Sequence, residues 1–78
     1  MAITLLVHNI RSTHNVGSIL RTADGFGVSS VVCSGYTPYP RLPGDDRLPH
    51  VVDKLPRQIH KTALGAESTV PIEYLADV

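Results

Sequence analysis

The sequence has a single cysteine, no tryptophan and a formal net charge of zero. Each shortage removes a class of protein. Cys33 has no second cysteine to pair with, so no disulfide within the chain can brace the fold. It lies in the apolar run Val31-Val32-Cys33 and reads as a small buried hydrophobe. No cationic neighbour in the sequence would activate its thiol. Seven basic and seven acidic residues cancel, whereas a self-sufficient nucleic-acid-binding domain is usually basic. Tight autonomous RNA binding is therefore not expected, although composition leaves room for a local basic site. No apolar run is long enough to span a bilayer. The start Met1-Ala2-Ile3-Thr4-Leu5-Leu6-Val7 lacks the basic opening and small-residue cleavage site of a signal peptide, so a cytoplasmic location is expected.

With 78 residues the chain has room for one small domain. A domain of this size buries only about 60% of its unfolded surface and is marginal alone. Oligomerisation is a common remedy.

What is present is a β/α rhythm. Ile3 to His8 form a short apolar run, read as a buried strand. Val16, Ile19, Leu20 and Ala23 then recur at helical spacing as one apolar stripe. Asn15 is the N-cap candidate and Gly27 the stop. Ser29 to Ser34 form a second strand, which completes a βαβ unit with parallel strands and a right-handed crossover. From Gly35 to about Leu55 the pattern lapses. Pro38, Pro40, Pro43 and Pro49 accumulate there with the turn signal Gly44-Asp45, and long loops of this kind are often functional. Pro56 is suited to the first turn of a second helix ending near Gly65. Thr69 to Tyr74 forms a third strand weakened by Pro71. The fold class is α/β, βαβαβ with a parallel sheet. Such sheets need both faces covered, so a partner is expected, either more of a longer chain or a second subunit.

The chemistry is concentrated between the first strand and the first helix. Ligands of open α/β sheets bind at the carboxyl ends of the strands, and a helix N-terminus there suits a phosphate. Gly17 would let a ligand approach the backbone closely. Arg21, four residues on, leans back toward the same end, where Arg11 arrives from the loop. Two readings of Arg21 stay open on physical grounds: a phosphate or ribose contact, or a surface pair with Asp24. The segment is no Walker loop, lacking Gly-Lys-Ser/Thr, and carries no G-x-G-x-x-G fingerprint. His8, His14, His50 and His60 show no metal-ligand spacing. Tyr36 and Tyr39, with Arg41 nearby, could stack on unpaired bases or simply pack the loop. Lys54, Arg57 and Lys61 read as a solvated helix face, and Asp45 and Asp46 as turn formers.

The run Asn9-x-Arg11-Ser12-x-x-Asn15-Val16-Gly17-x-Ile19-x-Arg21-Thr22-Ala23-x-x-Phe26-Gly27 resembles the first motif of the SpoU (TrmH-type) family in the SPOUT superfamily. Gly35-Tyr36-Thr37-Pro38 and Lys61-Thr62-Ala63-Leu64-Gly65-Ala66-Glu67 resemble a subgroup of that family. The resemblance covers essentially all of residues 1–78, as the N-terminal part of a SpoU-type RNA methyltransferase domain. It implies S-adenosylmethionine-dependent 2′-O-ribose methylation of tRNA or rRNA, by a homodimer whose α/β fold ends in a trefoil knot. By position, Arg21 matches the family's catalytic arginine and Asn15 its motif asparagine. Asn9, Arg11, Ser12, His14, Gly17, Tyr36 and Arg41 are the candidate RNA contacts. The second and third motifs, which build the knot and the donor pocket, have no counterpart here. S-adenosylmethionine binding by this chain alone is therefore not expected. A catalytically inactive RNA-binding or dimerising module is the alternative. A nucleotide-binding domain unrelated to methylation is disfavoured by the density of the motif.

Overall fold

The computed structural model describes residues 2–40, 42 and 47–76. Strands β1 (Thr4–His8), β2 (Ser30–Ser34) and β3 (Ile72–Leu75) form a parallel sheet in the order β1-β2-β3. Helix α1 (Thr13–Gly25) links the first two strands. Helices α2 (Pro49–Ala63) and α3 (Ala66–Thr69) link the second and third. The architecture is the βαβαβ arrangement read from the sequence.

Strand alternation and register decide where the core lies. Leu5 pairs with Val31 and Val7 with Cys33, and Val31 and Cys33 in turn face Ile72 and Tyr74 of β3. These residues share one face of the sheet, because side chains alternate along a strand. Val7, Val31 and Cys33 form a single buried cluster with Val16, Leu20 and Ala23 of α1, Ile59 and Ala63 of α2, and Ala66 of α3. Leu20 and Ile59 are fully enclosed, each contributing about 1.5–3 kcal/mol by burial. The Cys33 thiol sits in this cluster, and burial pushes its pKa up to about 11. It is a packing group and no nucleophile.

All helical packing therefore falls on one face. Right-handed crossovers that advance steadily across a sheet put every helix on the same side. The opposite face carries Leu6, Val32 and Leu75, and Leu6 is 55% and Leu75 48% exposed. Thr4, His8, Ser30, Ser34 and Glu73 share that face with them, and a parallel sheet with one face uncovered by helices is the incompleteness that the sequence implies.

The apolar stripe of α1 is buried at Val16, Leu20 and Ala23, and Ile19 packs at its margin. The stop is as read. Gly27, at φ +68°, donates to Asp24 O at 3.1 Å, and Val28 donates to Ala23 O at 3.0 Å. This is a Schellman closure. The start is corrected: the N-cap is Ser12 and not Asn15. Ser12 Oγ accepts from Asn15 N at 3.1 Å, so Asn15 lies inside the first turn.

The second helix is also corrected. It begins at Pro49, seven residues before Pro56, which lies within it. Pro49 has no N–H to lose at the first turn, and Val52, Leu55, Ile59 and Ala63 supply a helical apolar stripe that outweighs the bond lost at Pro56. The irregular segment is correspondingly shorter. The turn at Gly44-Asp45 and the adjacent Asp46 lie outside the described residues. The short helix α3 was not foreseen. Leu64 and Gly65 both take positive φ there, and Glu67 folds back to accept from Gly65 N at 2.8 Å and to meet His60 Nδ1 at 2.7 Å. Partial burial pulls the Glu67 carboxyl upward, but these hydrogen bonds and the His60 charge outweigh it and hold its pKa below the usual range.

Gly17 is buried where α1 crosses α2. A Cβ there would overlap Thr62 Oγ1 and the Ile59 carbonyl oxygen, and would stand 2.9 Å from Ala63 N. Helix propensity alone predicts that Gly17→Ala stabilises by about 1 kcal/mol. The packing predicts the reverse, a loss of about 1–3 kcal/mol from forcing the helices apart. Thermal denaturation of the variant reads the sign directly, and a raised melting temperature would contradict the close approach.

Candidate functional site

Two loops leave the carboxyl ends of β1 and β2 side by side. The first, residues 9–12, leads into α1; the second begins at Gly35. They are joined by hydrogen bonds. Thr37 is 2% exposed, and its Oγ1 donates to Val7 O at 3.0 Å while accepting from Ile10 N at 3.1 Å. Asn9, at φ 54°, accepts at Oδ1 from Tyr36 N at 3.1 Å. Gly35 has φ +63°, and a Cβ on it would overlap Asn9 Oδ1, so glycine is required on both counts. Tyr74 reaches across from β3, its hydroxyl donating to Gly35 O at 2.6 Å. His8 Nδ1 lies 2.9 Å from Ser34 Oγ and ties the same strand ends together.

Between these loops opens a cleft of about 700 Å³. Arg11, Ser12, Thr13 and His14 line it from the first loop and the first turn of α1; Tyr36, Thr37 and Tyr39 line it from the second loop. Arg47, Leu55 and Gln58 close one side, with Tyr74 behind. Among the described residues its charged lining residues are Arg11 and Arg47, with no carboxylate beside them. No acidic residue occupies the first turn of α1 either, so the positive end of that helix dipole adds to the same field. The cleft suits an anion with planar groups.

The aromatic residues divide by role. Tyr39 is half-buried and stacks on Tyr74, with ring centroids 4.3 Å apart and 19° between planes. The Arg47 guanidinium sits 3.7 Å from the Tyr39 ring centroid and donates to Tyr39 O and Pro40 O at 3.1 and 3.2 Å. This three-layer stack forms a wall. Tyr36 is 56% exposed, with the Arg11 guanidinium 5.1 Å from its ring centroid.

Of the residues proposed from the sequence, Arg11, Ser12, His14 and Tyr36 converge on the cleft. Asn9 does not line it; its Oδ1 is committed to the Tyr36 backbone. Ser12 Oγ serves as the cap of α1. Gly17 is corrected: the close approach that it permits is to α2 and not to a ligand, because its α-carbon faces Ile59 and Thr62. Asn15 and Arg21 are exposed on α1 outside the cleft lining. Arg21 forms no ion pair among the described residues, so the surface pair with Asp24 is not made. Arg41 lies outside the described residues.

Arg47, Gln58 and Tyr74 were missed. The only available signal was the echo of Arg41-Leu42-Pro43 in Arg47-Leu48-Pro49, too short to be an architectural repeat. Among the described residues no cluster of histidine, cysteine or carboxylate could hold a metal ion, and no helix is long and apolar enough to cross a membrane.

The chain is 37% identical over 70 residues to the 23S rRNA (guanosine-2′-O-)-methyltransferase RlmB of Nitrosomonas europaea. The match takes in 90% of this chain and 22% of that relative, so the chain spans about a fifth of the relative's length. No protein-family model and no solved structure matches. Together with the first-motif residues, this similarity is that of the N-terminal portion of a SpoU-type domain.

The Thr37 hydroxyl is the bond on which the cleft's shape turns. Thr37→Val keeps the volume but strands Ile10 N–H and leaves Val7 C=O with the longer bond from Ser34 Oγ at 3.5 Å, at about 1–3 kcal/mol. Thr37→Ser retains the hydroxyl and most of the stability. Amide exchange at Ile10 measures this residue by residue: it should accelerate in the valine variant and stay slow in the serine variant. Unchanged exchange in Thr37→Val would remove the hydroxyl from the account.

Proposed function

We propose, from the premise that this chain is the N-terminal portion of a SpoU-type RNA methyltransferase domain, that it supplies the RNA-facing half of a site for 2′-O-ribose methylation of rRNA or tRNA. One observation carries the reading: Arg11, His14, Tyr36 and Arg47 gather in one cleft, with no carboxylate among its described lining residues, at the carboxyl ends of parallel strands. Phosphates and bases are the ligands that this chemistry fits. In the reading, Arg11 and the first turn of α1 hold the phosphate backbone. Arg21, exposed and without an ionic partner on the same helix, stabilises the charge that develops on the ribose 2′-oxygen, and Asn15 orients the ribose beside it. A guanidinium does not readily give up its proton, so electrostatic stabilisation suits Arg21 better than general-base work.

The methyl donor is assigned elsewhere. S-adenosylmethionine carries a cationic sulfonium, and among the described residues the charged groups lining the cleft are two arginines. The cleft does not fit it, and no step of the reaction is routed through these residues to it. The donor pocket belongs, in this reading, to the portion of the domain outside this chain. The exposed face at Leu6 and Leu75 supports docking of that portion or of a second subunit. A cytoplasmic setting follows from an rRNA or tRNA substrate. Isolated, the chain would act as a binding module without transferring methyl groups.

A chimera tests this. The chain replaces the matched segment of the Nitrosomonas relative, and methyl transfer to rRNA is followed beside the melting temperature. The chimera should transfer. Arg21→Ala should lower transfer by about 10²–10³-fold while changing stability by no more than about 0.5 kcal/mol. Arg21→Lys should rescue little, since a point charge lacks the planar fork. Transfer retained in Arg21→Ala would defeat the assignment.

A further inference from the structure

The geometry points to Tyr36 as a stacking platform for one unpaired nucleobase, held at its angle by Asn9 and Tyr74; this rests on the RNA reading above and specifies its ligand as single-stranded. Tyr36 combines two properties that rarely coincide. Its side chain is on the surface, 56% exposed, yet its backbone is anchored on both sides. The peptide before it is held twice, its N–H by Asn9 Oδ1 and the Gly35 carbonyl by the Tyr74 hydroxyl at 2.6 Å, and the peptide after it donates from Thr37 N to Ser34 O at 3.2 Å. Gly35 is locked in turn by its positive φ and its contact with Asn9. An exposed aromatic ring on a fixed backbone loses little conformational entropy when it binds.

The neighbouring groups set the ligand class. The Arg11 guanidinium stands over one face of the ring, 5.1 Å from its centroid, so a base would take the opposite face, with Arg11 placed to meet the phosphate of the same nucleotide. Ring and cation then read base and backbone together. Tyr39 does not compete for the base, because its ring is already layered between Tyr74 and Arg47. The cleft, at about 700 Å³, falls in the size range of small-ligand sites, roughly 300–1,000 Å³. A duplex cannot use the platform. Its bases stack on each other and show only their edges, whereas an unpaired nucleotide can offer a ring face. Asn9 and Tyr74 act through Tyr36 and are positioning residues.

The test uses the 78-residue chain and a short single-stranded RNA carrying one 2-aminopurine, titrated at low salt with fluorescence as the readout. Stacking on Tyr36 should quench the probe saturably. Annealing the RNA to its complement should weaken binding at least tenfold. Tyr36→Leu, which keeps the apolar bulk without the ring, should weaken binding of the single strand by about 5- to 150-fold, corresponding to about 1–3 kcal/mol per stacked base. Tyr36→Phe should stay near the original. Circular dichroism establishes that the variants fold, and the wild-type comparison of single strand with duplex stands even where they do not. Equal binding of single strand and duplex, unaffected by Tyr36→Leu, would overturn the platform and leave the RNA reading in place. No saturable binding of either RNA would overturn both.

Discussion

Helices α1 and α2 meet at Gly17, and much of the remaining structure is set by that contact. With no Cβ in the way, the α1 backbone approaches Ile59 and Thr62 closely enough for Thr62 Oγ1 to donate to His14 O at 2.8 Å. That bond joins the last turn of α2 to the first turn of α1. It fixes the lateral position of Gln58 and Leu55, one and two turns earlier on α2, against the loop that carries Arg11. The same approach seals Ile59 and Leu20 into the core. Packing and site geometry therefore share one cause.

The site adds a second layer of constraint, made of hydrogen bonds. Loops after parallel strands are ordinarily the variable part of such a fold. Here Asn9, Thr37 and Tyr74 bind the loops to each other and to three different strands or strand ends. The residues left at the rim are cations and an exposed ring. The chain has no net charge, yet the described lining of the cleft gathers Arg11 and Arg47 with no carboxylate among them. This reconciles a neutral composition with a polyanionic ligand: the positive field is local, and affinity from this portion alone is correspondingly modest.

Much of this was legible in the sequence, for identifiable reasons. The strands, and α1 with its Gly27 stop, follow from apolar periodicity and from backbone rules that operate locally. The motif residues Arg11 and Tyr36 lie on loops beside strand ends and His14 in the first turn of α1, so their convergence follows from topology. The errors share a different origin. Ser12 displaced Asn15 as the cap because both are good capping residues, and only backbone geometry selects between them. Pro56 suggests a helix start because its cost inside a helix is normally prohibitive, but the burial of Ile59 and Ala63 outweighs that cost. Gly17 was given to a ligand because a glycine at a helix start permits close approach without saying to what. Arg47, Gln58 and Tyr74 reach the site through tertiary packing alone.

The central claim is that the cleft between the β1 and β2 loops is where RNA meets this chain. Amide chemical-shift mapping by NMR, with a short unpaired rRNA fragment titrated into the isotopically labelled protein, tests it most directly. The account predicts that perturbations cluster at Arg11 to His14, at Tyr36 and Thr37, and at Gln58, and that they diminish with added salt. Perturbations confined to the open sheet face at Leu6, Val32 and Leu75, with the cleft silent, would contradict it.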